Sequence, residues 1–137
     1  MAHDRETIRK AFVTALTGLT TTGARVYRTR VYPMDAEKLP GLIVYTTEEE
    51  NEPPTMGTSA QERELTVVVE GYAKTSPTLI DDTLDDIADE VETAIGADRT
   101  LSGACQTCWL SETSIEYVSG DQPAGVVKMQ FTTFYRA

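Results

Sequence analysis

Two stretches of the sequence place apolar residues three and four positions apart, the spacing of an amphipathic helix. The first follows Asp4, whose side chain can cap a helix, and ends before the glycine-flanked turn at residues 18–23. The second follows Pro77, which suits a first helical turn, and ends at Gly96. The two apolar stripes are Ile8, Ala11, Phe12, Ala15, Leu16 and Leu19, then Ile80, Leu84, Ile87, Val91 and Ile95. Each helix therefore has one face to bury.

Five other stretches predict strands, because apolar residues run together or alternate with polar ones. They are residues 25–32, 42–45, 64–72, 109–119 and 126–136. In the fourth, Trp109, Thr113, Ile115 and Tyr117 are expected to share one side. The order αβββαββ predicts an α+β fold in two layers, a mostly antiparallel five-stranded sheet with both helices packed on one face. The length of 137 residues favours a single domain over 1–137.

An acidic, proline-rich segment at about 48–61 separates the second and third predicted strands. It has too little apolar content to fold alone, yet it is carried on two strands. We therefore predict an extended loop that contacts a partner or a neighbouring subunit. Its candidate contact residues are Glu48, Glu49, Glu50, Glu52, Pro53, Pro54 and Met56.

The sheet face away from the helices mixes polar, charged and aromatic residues, a composition that suits a partner surface. Arg28 and Arg30 share one face of the first predicted strand, as either a solvated face or one half of an intersubunit ion pair. The candidate interface residues are Arg28, Arg30, Tyr72, Lys128 and Phe134.

Charge and apolar content restrict the partners. The chain has 12 basic and 22 acidic residues, a net charge of −10. This field repels phosphate backbones and disfavours nucleic-acid binding, although it suits a channel through which DNA merely passes. No apolar run reaches the length of a membrane span, and the N-terminus lacks the features of a signal peptide. We expect synthesis in the cytoplasm and no membrane partner.

No pattern in the chain indicates catalysis. Cys105 and Cys108 form a lone CxxC without a second pair, and the single histidine, His3, is far away in sequence; two ordinary thiols are favoured over a redox or metal role. The aspartates of the second helix favour a solvated face over pairing with a partner or binding a metal. No nucleophile–histidine set or glycine-rich phosphate loop is present. We predict no enzyme, no catalytic or metal residues and no cofactor.

The whole pattern resembles the tail terminator (tail completion) proteins of long-tailed bacteriophages and is similar to minor tail protein U of lambda-like phages. The resemblance is carried by the opening helix at residues 6–16, the strand ending at Val31-Tyr32-Pro33, and the run Leu39-Pro40-Gly41-Leu42-Ile43-Val44-Tyr45. The acidic loop, the strand at residues 64–72, the aspartate-rich helix and the closing hairpin complete it.

The resemblance implies a ring, most often a hexamer, that caps the tail tube at the head-proximal end of the virion. Its implied partners are further copies of itself, the major tail tube protein and the head–tail connector, with DNA passing through the lumen unbound. Three alternatives stay open: a head–tail connector component, a small cytoplasmic redox protein using Cys105 and Cys108, and an acidic decoy that binds a basic host surface.

Overall fold

The computed structural model describes residues 4–28, 40–53, 57, 61–75, 78–118 and 124–136. Within these ranges the chain forms two helices and five strands in the predicted order αβββαββ. The elements are α1 (Asp4–Leu16), β1 (Val26–Tyr27), β2 (Gly41–Asn51), β3 (Glu62–Lys74), α2 (Ile80–Ala97), β4 (Thr107–Val118) and β5 (Ala124–Arg136).

The five strands form one mixed sheet in the order β1-β2-β3-β5-β4. β1 runs parallel to β2, with Val26 opposite Leu42, and the other three pairs are antiparallel. The prediction of a mostly antiparallel sheet is therefore corrected to a mixed one. Parallel neighbours need a crossover of about a dozen residues, and the segment between Tyr27 and Gly41 is long enough to supply it.

The first strand is much shorter than predicted. β1 contains only Val26 and Tyr27, and Arg28 follows it in an irregular, exposed conformation. Residues 29–32, the rest of the predicted strand, lie outside the described residues.

Both helices pack on the same face of the sheet and share one apolar core with it. Ile8, Phe12 and Leu16 of α1 are fully buried, and the Phe12 ring lies 5.6 Å from that of Phe131 on β5. The stripe of α2 predicted from spacing is buried without exception. Burial of these stripes is the main force that holds the two layers together.

The turn that follows α1 is held against α2 by hydrogen bonds. The carboxylate of Glu90 on α2 accepts hydrogen bonds from the backbone N–H and the hydroxyl of Thr21. Arg25 then donates to the carbonyl oxygens of Thr21 and Pro40, at 3.2 and 2.7 Å. Residues 21–25 are thus tied to α2 and to Pro40, the residue before β2.

A β-bulge near the middle of β2 changes which of its side chains face the helices. Thr46 lies opposite Val67 but Glu49 lies opposite Leu65, so β2 contains one extra residue. Beyond this bulge the odd-numbered residues of β2 turn toward the helices. β2 also continues to Asn51, so the prediction that the loop begins at Glu48 is wrong. Pairing with β3 outweighs the low strand propensity of the glutamates.

A second bulge, at Ser111, reverses the faces of β4. Leu110 pairs with Phe131 and Glu112 with Gln130, while the Ser111 hydroxyl donates to the Gln130 carbonyl oxygen at 2.9 Å. Trp109 therefore lies on the sheet face opposite to that of Thr113 and Ile115. The prediction that these three residues share one side is wrong, because the extra residue shifts the alternation by one.

Substitution of Gly71 tests how closely α2 packs on the sheet. A Cβ atom at this position would lie 2.6 Å from Cγ2 of Ile87 and 3.1 Å from Cγ1 of Val127. We expect Gly71→Ala to lower the free energy of unfolding by about 1–3 kcal/mol in urea titration, because α2 must move outward. Gly96→Ala is the matched control: its Cβ meets nothing within 4 Å, and helix propensity favours alanine by about 0.5–1 kcal/mol. Equal effects of the two substitutions would contradict this packing.

Candidate functional site

The carboxylate of Glu49 lies at the centre of a polar cluster on the helix-facing side of the sheet. Its Oε2 accepts hydrogen bonds from Arg5 of α1 at 3.0 Å and from Arg63 of β3 at 3.2 Å. Its Oε1 accepts one from the hydroxyl of Tyr135 on β5. The Glu49 side chain is only 8% exposed. The cluster thus connects α1 to three adjacent strands.

The ionised form of Glu49 is favoured despite its burial. Burial alone raises the pKa of this carboxyl, but the Tyr135 hydrogen bond and the charges of Arg5 and Arg63 outweigh it and hold the pKa below its usual range. Burial, together with the hydrogen bond to Glu49, raises the pKa of Tyr135 to about 12. Glu49 therefore stabilises the fold and is committed within the chain.

A second glutamate organises the middle of the outer sheet face, the face away from the helices. Glu70 accepts hydrogen bonds from the hydroxyls of Tyr45 and Tyr72, each at 3.0 Å. Lys128 lies directly opposite Glu70 on β5. Burial and the nearby Glu70 carboxylate raise the pKa of Tyr72, so this phenol stays protonated. Tyr72 and Lys128, two predicted interface residues, are thus brought together.

Four glutamates form two like-charged pairs on the outer face, near the end of the β2–β3 hairpin. Glu50 lies directly opposite Glu64, and the N–H of Glu52 donates to the Glu62 carbonyl oxygen at 3.0 Å. We call Glu50, Glu52, Glu62 and Glu64 the acidic ladder. Like charges directly opposite each other destabilise a sheet by roughly 0.2–1 kcal/mol per pair.

An aromatic pair adjoins the acidic ladder. The rings of Trp109 and Phe134 have centroids 5.1 Å apart and planes inclined by 33°, and Trp109 is 41% exposed. Phe134 lies directly opposite Glu64 and, with residues of the ladder, lines a cavity of about 150 Å³. The aromatic pair and the ladder therefore form one continuous surface, the acidic–aromatic patch.

The remaining predicted contact residues are dispersed. Glu48 lies in the bulge of β2, and its side chain is exposed. Pro53 and Arg28, which lie elsewhere, are exposed as well. Phe134 lies far from Tyr72 on the outer face. Tyr72 is opposite Val126, and Phe134 comes eight residues after Val126 on β5, a separation of roughly 25 Å. Three further predicted residues lie outside the described ranges: Arg30, Pro54 and Met56.

The two cysteines are buried where α2 connects to β4. The Sγ atom of Cys105 lies 3.5 Å from the carbonyl oxygen of Arg99, and Cys108, on β4, is fully buried. Their mutual hydrogen bond lowers the pKa of Cys105 and, with burial, raises that of Cys108. Within the described part of the chain, no three histidine, cysteine or acidic side chains are grouped as metal ligands, and no helix is long and apolar enough to cross a membrane.

Comparison with known proteins identifies the family. The family model for phage minor tail protein U matches residues 3–135. The chain belongs to the phage minor tail protein U family. This family is one of phage tail proteins, so membership gives the chain a structural role in a phage tail.

The comparison with solved structures also found matches. A chain in the virion of a native gene transfer agent particle matches with a TM-score of 0.47 and 14% sequence identity, covering 91% of this chain and 84% of that chain. None of the curated proteins compared with the chain matches it. The assignment to the minor tail protein U family therefore rests on the family model.

Sequence reasoning placed Tyr72, Lys128 and Phe134 on the outer face of this minor tail protein U family member, but it missed Trp109 and the acidic ladder there. Trp109 is predicted only to share a side with Thr113, Ile115 and Tyr117, and neither Glu62 nor Glu64 is among the predicted contact residues. The alternation Glu62-Arg63-Glu64-Leu65 does carry a signal, because it puts both glutamates on the face opposite Leu65. Their pairing with Glu50 and Glu52 depends on the bulge, which the sequence does not reveal.

Substitution of Glu49 tests the polar cluster. We expect Glu49→Gln to lower the free energy of unfolding by about 1–3 kcal/mol at neutral pH, because Arg5 and Arg63 lose their shared carboxylate. The control is Glu50→Gln, one residue away and exposed on the other face, where loss of a charge relieves repulsion. A larger loss from the control would contradict the assignment of faces.

The pH dependence gives a second test of the same cluster. The folded-state pKa of Glu49 is lowered, so its contribution is fully present above the unfolded value of about 4.3 and is lost as pH falls through the folded value. We expect the stability difference between wild type and Glu49→Gln to be largest near neutral pH and to shrink below about pH 4. Urea titrations at several pH values measure it; a difference independent of pH would show that charge does not cause the effect.

Proposed function

We propose that the protein forms a ring, a hexamer, on the head-proximal end of the phage tail tube. The ring ends tube polymerisation and provides the surface to which the head docks. The observation that carries this proposal is membership of the phage minor tail protein U family over residues 3–135. The partners proposed are further copies of the chain, the major tail tube protein and the head–tail connector protein.

The edges of the sheet support assembly into a ring. β4 is the outermost strand on one side and is 12 residues long, a long edge for a monomer to expose. On the other side, β1 covers β2 only at Leu42 and Ile43 within the described residues. Two different edges at opposite ends of a sheet suit a head-to-tail interface, which closes into a ring when the rotation between subunits allows it.

The charge of the chain supports a passage for DNA. Six copies at −10 each carry a formal charge of −60. A lumen lined by carboxylates repels the phosphate backbone, so DNA slides through without sticking. The seven acidic residues of α2, which has no basic residue, are one available source of such a lining.

Binding to tube ends tests the proposed function directly. We expect the purified protein to bind the ends of preassembled tail tubes and to stop their elongation, as seen by negative-stain electron microscopy and by light scattering during tube polymerisation. Binding along the sides of tubes, or elongation at an unchanged rate, would contradict it. A head–tail connector component that does not touch the tube would leave tube ends bare.

Shortening the connection between β2 and β3 tests whether this loop contacts the tail tube or a neighbouring subunit. We expect a variant with residues 53–61 replaced by a short glycine-rich turn to fold, because the Glu52–Glu62 hydrogen bond brings the strand ends together. Complementation of a phage lacking the gene should then give tails of irregular length. The control is the double substitution of Cys105 and Cys108 by serine, which should terminate tails normally. Tails of normal length from the shortened variant would overturn the assigned role of the loop.

A further inference from the structure

We infer that the acidic–aromatic patch of one copy binds the α1–β1 flank of a second copy. The flank consists of Arg5, Arg9, Lys10 and Arg28. This inference rests on the proposed ring and names the two surfaces that join its subunits. It is carried by the exposed aromatic pair, the opposite charges of the two surfaces and their positions on opposite layers of the fold.

Trp109 is the anchor of the patch. Three large apolar side chains of the described residues are well exposed, namely Leu79, Trp109 and Ile115, and of these only Trp109 stacks on a second ring. Tryptophan is enriched among the residues that dominate binding energy at interfaces. Its indole face also attracts a guanidinium or ammonium group. A basic partner surface with aliphatic stems therefore fits this position.

The acidic ladder favours a cation supplied from outside the chain. Its two cross-strand pairs place like charges face to face, and the basic partner seen on the ladder is Arg136, 3.6 Å from Glu62 with both side chains about half exposed. An exposed pair of this kind contributes little, so the repulsion stays largely uncompensated. Binding of a basic surface relieves the repulsion and adds attraction.

The α1–β1 flank has the complementary charge. Residues 4–28 contain five basic and two acidic side chains, a net charge of +3 in a chain of −10. Lys10 and Arg28 are exposed, and Nζ of Lys10 lies 3.2 Å from Oε1 of Glu6. Lys10 first, and then Arg28 and Arg9, lower the pKa of Glu6, so all three cations lie near this carboxylate. The flank is therefore a cluster in space as well as in sequence.

The sheet separates the two surfaces within one copy. α1 packs on the helix side, near β1 and β2, whereas the patch occupies the outer face from β2 across to β4. One copy cannot bring its own flank onto its own patch. A second copy can, and it leaves its own patch open for a third, which is the head-to-tail arrangement that a ring requires. Two copies, each with a net charge of −10, repel each other in general, but this orientation brings surfaces of opposite charge together.

Two charge-reversal variants, one in the patch and one in the flank, and a mixture of the two test the inference. The patch variant carries Glu62→Lys and Glu64→Lys, and the flank variant carries Lys10→Glu and Arg28→Glu. Self-association of each is measured by sedimentation velocity, alone and on tail-tube ends, after circular dichroism and thermal melts confirm folding. We expect each variant alone to associate at least about tenfold more weakly than wild type. An equimolar mixture should recover association, because reversed patches then meet reversed flanks while unaltered patches meet unaltered flanks.

Trp109→Ala should also weaken self-association about tenfold or more, and Ile115→Ala, an equally exposed side chain on the other face, should not. Normal ring formation by the patch variant, the flank variant or Trp109→Ala would overturn the inference and leave the proposed function standing. Intact self-association with loss of tube-end binding would identify the tube as the occupant and also overturn it. Wild-type protein that is monomeric both alone and with tubes would overturn the ring and this interface together.

Discussion

The register of β2 against β3 determines which carboxylates the protein buries and which it exposes. The bulge after Thr46 turns Glu49 toward the helices, where Arg5, Arg63 and Tyr135 satisfy it. The same shift puts Glu50 and Glu52 on the outer face, opposite Glu64 and Glu62. Without the extra residue, the register would place Glu48 and Glu50 on the helix side and Glu49 on the outer face. The bulge therefore decides which glutamate meets Arg5, Arg63 and Tyr135.

Much of the fold could be predicted from spacing alone. The predicted stripe of α2 is fully buried, and that of α1 is buried at Ile8, Phe12 and Leu16 and partly buried at its other positions. A helix with one apolar stripe removes it from water by packing that side against the core. The strands of the β3–β5 pair likewise follow from alternation, since both have one apolar face. The lengths of β1 and β2 could not be predicted, because pairing partners far away in sequence decide where a strand begins and ends.

The errors about the candidate site have two causes. Glu49 is predicted in a loop because its segment is acidic and poor in apolar residues, but pairing with β3 extends β2 through it. Trp109 is predicted to share a side with Thr113 and Ile115, but the bulge at Ser111 separates them. Period-two alternation assumes that every residue pairs, and one extra residue exchanges the two faces of the strand from that point onward. The residues around both bulges, serine in β4 and threonine and glutamate in β2, carry no sequence signal of an extra residue. The displacement is therefore visible only once the partner strand is in place.

The distribution of charge matters more for assembly than its sum. A net charge of −10 makes copies of the chain repel each other in solution. Yet basic residues are concentrated between residues 4 and 28, and the acidic ladder lies across the sheet from them. Copies therefore repel in most orientations and attract in a few. Because the same bulge that satisfies Glu49 inside creates the ladder outside, folding of the β2–β3 hairpin also prepares the surface for a basic partner.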